Sequence, residues 1–152
     1  MTALLKSRIL SIAIDRKPKR VYAFVSNLAN LPKWATTFCR SVRHSKGTWI
    51  AETPQGPVEI RLAKKNGFGI VDHSVQPSAG AAVFVPMRVI PNGRGSEVIF
   101  TLFRLPEMSD ARYAEDIRWV KQDLNTLKRV MEADLPQHVT SNPTNRFAGL
   151  HE

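Results

Sequence analysis

The sequence predicts an α+β fold, in which a curved antiparallel sheet of about seven strands wraps around one long C-terminal helix. Short β-branched runs separated by turn residues fill the middle of the chain, and a helical stripe of apolar residues follows them. A broken apolar segment, VYAFVSNLANLPKWATTF at 21–38, precedes them with helical spacing. The 152 residues, 43% of them hydrophobic, suffice for one domain with a buried core.

The apolar stretch from Ile9 to Ile14 predicts the first strand. It is too short to span a bilayer, and the basic segment DRKPKR follows it at 15–20. The nearby cations Lys6 and Arg8 are also compatible with a transit peptide, but the alternation that follows them favours a strand. We therefore expect a cytoplasmic protein.

Two short helices are predicted after this strand. Val21, Phe24, Val25 and Leu28 recur at helical spacing, and Pro32 divides the apolar segment. A second repeat of the pattern carries Trp34 and Phe38. We expect this helix pair to cover one end of the sheet with both aromatic rings inward, where they either pack on the long helix or line a mouth.

The segment from about Val42 to Phe103 predicts an antiparallel meander. Asn66-Gly67 is a strong two-residue hairpin signal, and it would place Arg61 opposite Asp72 as an exposed ion pair. A four-residue loop through Pro91 to Arg94 would likewise pair Arg88 with Glu97.

These registers assign inward faces, because alternate residues of a strand share a face. The orientation of Trp49 and Ile50 stays unassigned, since turning Glu52 outward would set it near Glu59. The predicted inward residues are Val58, Ile60, Leu62, Val71, His73 and Val75 in the first hairpin, and Val83, Val85, Met87, Val89, Val98, Phe100 and Leu102 in the second.

One long helix follows the strands, with Ser109 as its N-cap and Pro136 as its end. Its apolar residues follow 4, 3, 4, 3, 4 spacing, which predicts one buried stripe. Residues 1–135 are therefore expected to form a single domain, and 136–152 an extended or mobile tail. The stripe consists of Tyr113, Ile117, Val120, Leu124, Leu127 and Met131.

Charge is the most unusual bulk property, since 22 Lys and Arg against 13 Asp and Glu give a formal charge of +9. The cations are spread along the chain without a recognisable nucleic-acid motif, so solvated sheet edges are the simpler interpretation than a nucleic-acid partner. Peripheral contact with an anionic membrane stays open. The single cysteine, Cys39, cannot form an internal disulfide and has no metal-site neighbours, and we expect neither metal nor cofactor.

A single long helix cannot fill the concavity of such a sheet, so a groove or cavity should remain between them. At this point the chain resembles the START-related (SRPBCC) superfamily with the helix-grip fold, in its polyketide cyclase/dehydrase and lipid-transport-like branch. The resemblance covers roughly residues 10–132. It is carried by SIAIDRKPKRVYAFVSNLANLPKWA, IVDHSV and VPMRVIPNGRGSEVIFTLFRLPEMS. It implies a hydrophobic ligand cavity between sheet and C-terminal helix, in a superfamily that includes lipid and hormone binders, quinone-binding proteins and aromatase/cyclases.

His73 is the polar member of the predicted inward face. A core histidine bonded to a neighbouring hydroxyl or carbonyl is the simpler interpretation, and a ligand contact or general base is the other. Asp72 cannot form a dyad with it, because adjacent strand residues point to opposite faces. The predicted ligand-binding residues are Trp34, Phe38, Ile60, Leu62, His73, Val85, Met87, Phe100, Ile117, Val120 and Leu124.

Three classes of function follow. The leading one is binding of a small hydrophobic or aromatic ligand, lipid-, quinone- or polyketide-like, in the cavity. The second is a polyketide cyclase/aromatase-like enzyme that uses His73, against which stands the lack of an evident inward acid. The third is an interaction protein that uses its basic surface. A homodimer is compatible with any of them.

Overall fold

The computed structural model describes residues 3–133, which form eight strands and a long C-terminal helix. The predicted tail at 136–152, and with it Pro136 as the helix end, lies outside the described residues. The elements are β1 Ser7–Ile14, α1 Pro18–Val25, a 3-10 turn Leu28–Asn30, α2 Leu31–Trp34, β2 Ser41–Ser45, β3 Thr48–Thr53, β4 Gly56–Leu62, β5 His73–Pro77, β6 Val83–Val85, β7 Met87–Asn92, β8 Gly95–Phe103 and α3 Asp110–Ala133.

The strands form two antiparallel sheets, one of three strands in the order β1-β8-β7 and one of five in the order β2-β3-β4-β5-β6. Residues 69–71 precede β5 in the chain and pair with β7 of the other sheet, and in this way they join the two sheets. The Val89 N–H donates to the Gly69 carbonyl at 2.9 Å, and the Val71 N–H donates to the Met87 carbonyl at 2.8 Å. Gly69 has φ +73°, and a Cβ there would lie well under 3.0 Å from the Val89 carbonyl oxygen. This position therefore requires glycine.

The Asn66-Gly67 turn is not a two-residue hairpin, so the predicted pairing of Arg61 with Asp72 is wrong. The ten residues 63–72 connect the strands, and Leu62, not Ile60, lies opposite His73. The Asn66 side chain organises this connection, because its Nδ2 donates to the carbonyls of Lys64 and Ile70 while its Oδ1 accepts two backbone N–H groups. Such Asx bonding replaces the tight turn with a longer loop.

The next hairpin is tighter than predicted, and the predicted pairing of Arg88 with Glu97 is also wrong. Asn92 lies opposite Gly95, so the loop has two residues, and Arg88 lies opposite Ile99. Arg88 instead forms a two-pronged ion pair with Asp72, with both N···O distances at 2.9 Å. Both registers differ from the predictions by two residues, which preserves the parity of each strand and hence the predicted faces.

The structure differs from the prediction at one further position, and it assigns two faces that the prediction left open. Pro86 divides the predicted run 83–89 into β6, which pairs with β5, and β7, which pairs with β8. Trp49 lies opposite Ile60 and packs with the buried residues of β3 and β4, while Ile50 lies opposite Glu59. These contacts assign the two faces that the sequence left open.

The helix α3 has 24 residues, a length of about 36 Å. Ser109 is its N-cap, as predicted, since its Oγ accepts the Arg112 N–H at 3.1 Å. The side chains of Leu124, Leu127 and Met131 are buried in the main core, which is built with β1, β7, β8 and α1. A second cluster of buried residues lies under β3 and β4. Within residues 3–133, no helix is both long and apolar enough to cross a membrane.

Candidate functional site

A cavity of about 370 Å³ lies between the two sheets, the segment around α2, and α3. The sheets provide alternating inward side chains from β4 to β8, and α3 provides the opposite wall. Its apolar wall consists of Val25, Leu28, Leu31, Trp34, Ala35, Phe38, Val58, Ile60, Leu62, Val71, Val75, Pro77, Val83, Val85, Met87, Phe100, Leu102, Trp119, Val120 and Leu124.

The structure brings ten of the eleven predicted ligand-binding residues to this cavity: Trp34, Phe38, Ile60, Leu62, His73, Val85, Met87, Phe100, Val120 and Leu124. Ile117 is the exception, since it packs against the main core instead. At about 100° per residue, Ile117 lies about 60° around the helix from Val120, on the side away from Asp116 and Asp123. The apolar stripe of α3 is therefore shared between core and cavity, which spacing alone does not reveal.

His73 begins β5 and lines the sheet side of the cavity. Its Nδ1 lies 3.0 Å from the Val71 carbonyl oxygen, and its ring meets Phe100 edge-on with centroids 6.4 Å apart. Burial lowers the pKa of His73, and the Val71 carbonyl and the Asp72 charge only partly oppose this. His73 is thus a neutral imidazole at neutral pH, and it is both bonded to a carbonyl and part of the cavity wall.

Asp123 is an inward acid that the sequence analysis missed. Its side chain is only 6% exposed and lines the cavity from α3. Its Oδ1 accepts the Thr37 N–H at 3.0 Å, and its Oδ2 accepts the Thr37 hydroxyl at 2.7 Å. Burial raises the pKa of Asp123, and the two bonds from Thr37 offset part of this rise. The sequence feature that could have identified Asp123 is its position three residues after Val120, because residues at that spacing lie on the same helix face.

Cys39 is buried close to the charge of Asp123. The pKa of the Cys39 thiol is raised to about 11, first by burial and then by the negative charge of Asp123. Cys39 is therefore an inert core thiol at neutral pH. No group of three or more His, Cys, Asp or Glu side chains that could hold a metal ion occurs among residues 3–133.

The remaining polar lining residues form a rim, which we define as Thr53, Gln55, Arg112 and Asp116. The Arg112 guanidinium donates from Nε to the Asp116 carboxylate at 2.9 Å. The same guanidinium lies 5.6 Å from the centroid of the Trp119 ring, in cation–π contact. Gln55 and Arg112 are exposed, so this rim is where the cavity meets solvent.

Similarity to solved structures, and not similarity in sequence, establishes the fold of this chain. No protein-family model matches the chain, and no curated protein is similar to it in sequence. The solution structure of the Aha1 dimer from Colwellia psychrerythraea superposes with a TM-score of 0.67 at 16% identity, covering 84% of this chain and 97% of that one. The crystal structure of Ara h 8.0201 gives a TM-score of 0.65 at 9% identity, covering 86% of this chain and 100% of that one.

One domain-sized match lies within a larger protein. The di-domain ARO/CYC BexL, from the BE-7585A biosynthetic pathway, matches with a TM-score of 0.63 at 19% identity, covering 84% of this chain and 47% of BexL. Likeness at these identities establishes the three-dimensional fold. The predicted α+β helix-grip fold, with antiparallel strands around a long C-terminal helix, is confirmed.

Proposed function

We propose that this protein binds a small hydrophobic or aromatic ligand in the cavity between its sheets and α3, as a member of the START-related superfamily. The observation that carries the proposal is the cavity itself, with a volume of about 370 Å³ and mostly apolar walls. Small-molecule pockets are typically concave, mainly apolar and about 300 to 1,000 Å³ in volume, with a few placed polar groups. His73, Asp123 and Thr37 are such groups in an otherwise apolar wall.

The size of the cavity also bears on the size of the ligand. A ring system as large as a Trp side chain would bury about 250 Å², which corresponds to about 6 kcal/mol of gross hydrophobic free energy. Lost translational and rotational freedom costs at least about 4 kcal/mol of this. Tight binding therefore requires a ligand that fills more of the cavity than one ring system, which fits the lipid-, quinone- or polyketide-like class.

Native mass spectrometry of the purified protein, followed by denaturing extraction, tests the proposal. We expect an apolar small molecule at up to one per chain. A V120F variant, which fills part of the cavity, should lose the adduct, whereas V130F on the same helix should keep it because Val130 does not line the cavity. Equal retention by the two variants would place the molecule elsewhere.

A cyclase-like activity is the second candidate, and Asp123 is the observation that favours it. An acid with a raised pKa and a histidine with a lowered pKa line the same cavity, which is the pattern expected of acid and base partners. In an aldol cyclisation His73 would take a proton from the methylene carbon that forms the new C–C bond. The protonated fraction of Asp123, which its raised pKa increases, would supply the proton to the developing alkoxide, and water would leave in the later dehydration.

Turnover of a synthetic poly-β-ketone thioester, followed by mass spectrometry of the products, separates this candidate from simple binding. An enzyme should release a product lighter by one water per dehydrated ring, and D123N should abolish this while still binding the thioester. Product formation that is unchanged in D123N would remove Asp123 from the mechanism.

A further inference from the structure

The hydrogen bond from His73 to Val71 determines which ring nitrogen carries the proton. The Val71 carbonyl oxygen can only accept, so the His73 Nδ1, 3.0 Å away, must donate. Burial lowers the pKa of His73, which favours the neutral ring. A neutral imidazole has a single N–H, so Nε2 is left with an unprotonated lone pair.

The surroundings of His73 leave that lone pair available. Its cross-strand neighbours are Leu62 on β4 and Val85 on β6, and the aromatic ring next to it is Phe100. None of these side chains can donate a hydrogen bond. Within residues 3–133, the one hydrogen bond of the His73 ring is the bond from Nδ1. The imidazole is nevertheless part of the cavity wall.

The helix side of the cavity offers acceptors as well. Both carboxylate oxygens of Asp123 already accept from Thr37, and they remain able to accept further bonds. The cation among the described lining residues, Arg112, is at the rim and paired with Asp116. An anionic ligand group placed beside His73 would thus face a lone pair and would gain no positive partner there.

We propose that the ligand carries a neutral hydrogen-bond donor, most simply a phenol-type hydroxyl on an aromatic ring, which donates to Nε2 of His73. This inference rests on the ligand-binding function proposed above, and it narrows the ligand class within it. Once a ligand fills the cavity, Nε2 of His73 can no longer bond to water, so a ligand that brings the missing hydrogen avoids the cost of an unpaired acceptor. Ethers and carboxylates of the same shape lack that hydrogen.

NMR titration at millimolar concentrations of three naphthalene derivatives at pH 7 provides the test, because a ligand with only one ring system should bind weakly. 2-Naphthol carries the donor, 2-methoxynaphthalene has the oxygen without the hydrogen, and 2-naphthoate is an anion. We expect 2-naphthol to bind about three- to tenfold more tightly than 2-methoxynaphthalene, the usual effect of one net hydrogen bond. We expect 2-naphthoate to bind most weakly.

Two variants assign the preference to a residue. H73F keeps an aromatic ring in place but removes the acceptor, so it should bind 2-naphthol and 2-methoxynaphthalene equally. H44F is the matched control, because His44 is exposed on β2 and does not line the cavity, and it should keep the wild-type preference. Retained binding of 2-methoxynaphthalene by H73F also shows that the variant is folded.

The wild-type protein offers a readout that does not depend on any variant. In nitrogen-15 spectra of the imidazoles, His73 should appear as the neutral form protonated at Nδ1, and its Nε2 resonance should shift when 2-naphthol binds. A proton on Nε2, equal wild-type affinities for the naphthol and its ether, or a preference that persists in H73F would each overturn this inference. Those outcomes leave the cavity as a ligand site, whereas failure of all three compounds to bind would count against the proposed function as well.

Discussion

Replacing Gly69 with alanine should separate the two sheets where they are joined. The backbone at Gly69 has φ +73°, a left-handed conformation that costs a residue with a Cβ about 1 to 2 kcal/mol. The added Cβ would also collide with the Val89 carbonyl oxygen, which is backbone and cannot rotate away. The strand segment 69–71 must therefore move away from β7.

That movement gives the expected loss of stability. It weakens the bond from the Val89 N–H to the Gly69 carbonyl and the bond from the Val71 N–H to the Met87 carbonyl. Each such bond contributes about 0.5 to 1.5 kcal/mol net. Together with the conformational cost, G69A should lower the free energy of unfolding by about 2 to 5 kcal/mol.

Urea denaturation followed by circular dichroism measures this difference. A slope of about 1 to 3 kcal/mol per molar urea would make the shift in the midpoint of order 1 M or more. G67A is the matched control in the same loop, because a Cβ at Gly67 meets no atom within 4 Å and its φ does not lie in the left-handed range. If G69A unfolds within about 0.5 kcal/mol of G67A, the reasoning about this junction is wrong.

Three further predictions concern charged and reactive groups. The Arg88 guanidinium lowers the pKa of Asp72, so their ion pair stabilises the protein above about pH 4 and stops doing so as the pH falls through the folded-state pKa. D72A should therefore cost about 1 to 2 kcal/mol in urea denaturation at pH 7, since Arg88 is half exposed. This loss should become smaller as the pH falls below about 4, and a loss that does not change with pH would contradict the reasoning. The pKa of the Cys39 thiol is raised to about 11 from 9.0. At pH 8 Cys39 should therefore react with iodoacetamide at least about a hundredfold more slowly in the native protein than in urea. Equal rates in the two conditions would refute its burial. T37A should raise the pKa of Asp123 further, as carbon-13 titration of the carboxyl would show, because it removes one of two bonds that favour the charged form.

Periodicity predicted those features of the fold that depend on one segment alone. The stripe of α3, the Ser109 cap and the inward faces of the strands all follow from residue spacing and local bonding. Register did not follow, because it depends on how many residues each turn uses. Asn66 bonds to its own loop and lengthens one turn, and Arg94 belongs to a shorter turn than predicted. Both predicted registers were wrong by two residues. Because alternate residues of a strand share a face, the predicted faces were right although the predicted pairings were wrong.

The candidate site was predictable on its apolar side and not on its polar side. Selecting inward apolar residues identifies the apolar wall of the cavity. It does not identify Asp123, because this residue is charged, although it lies on the same helix face as Val120. Its partner Thr37 is distant in the sequence, and no local pattern reports that contact. Ile117 shows the converse error, since an apolar residue at the right spacing can serve the core rather than the cavity.

The pairing of β1 with β8 has a consequence for how the chain folds. Ser7 pairs with Phe103 and Ile14 with Ser96, so these partners lie roughly 80 to 100 residues apart. At about 5 to 20 residues per second, β8 leaves the ribosome about 5 to 20 s after β1. During that interval the apolar side chains of Leu10 and Ile14, both buried in the native protein, have no sheet to join. Among the strands of residues 3–133, β1 is thus synthesised before the others and is among the last to be paired. The nascent chain exposes the unpaired edge of β1, a site prone to aggregation, until β8 is available.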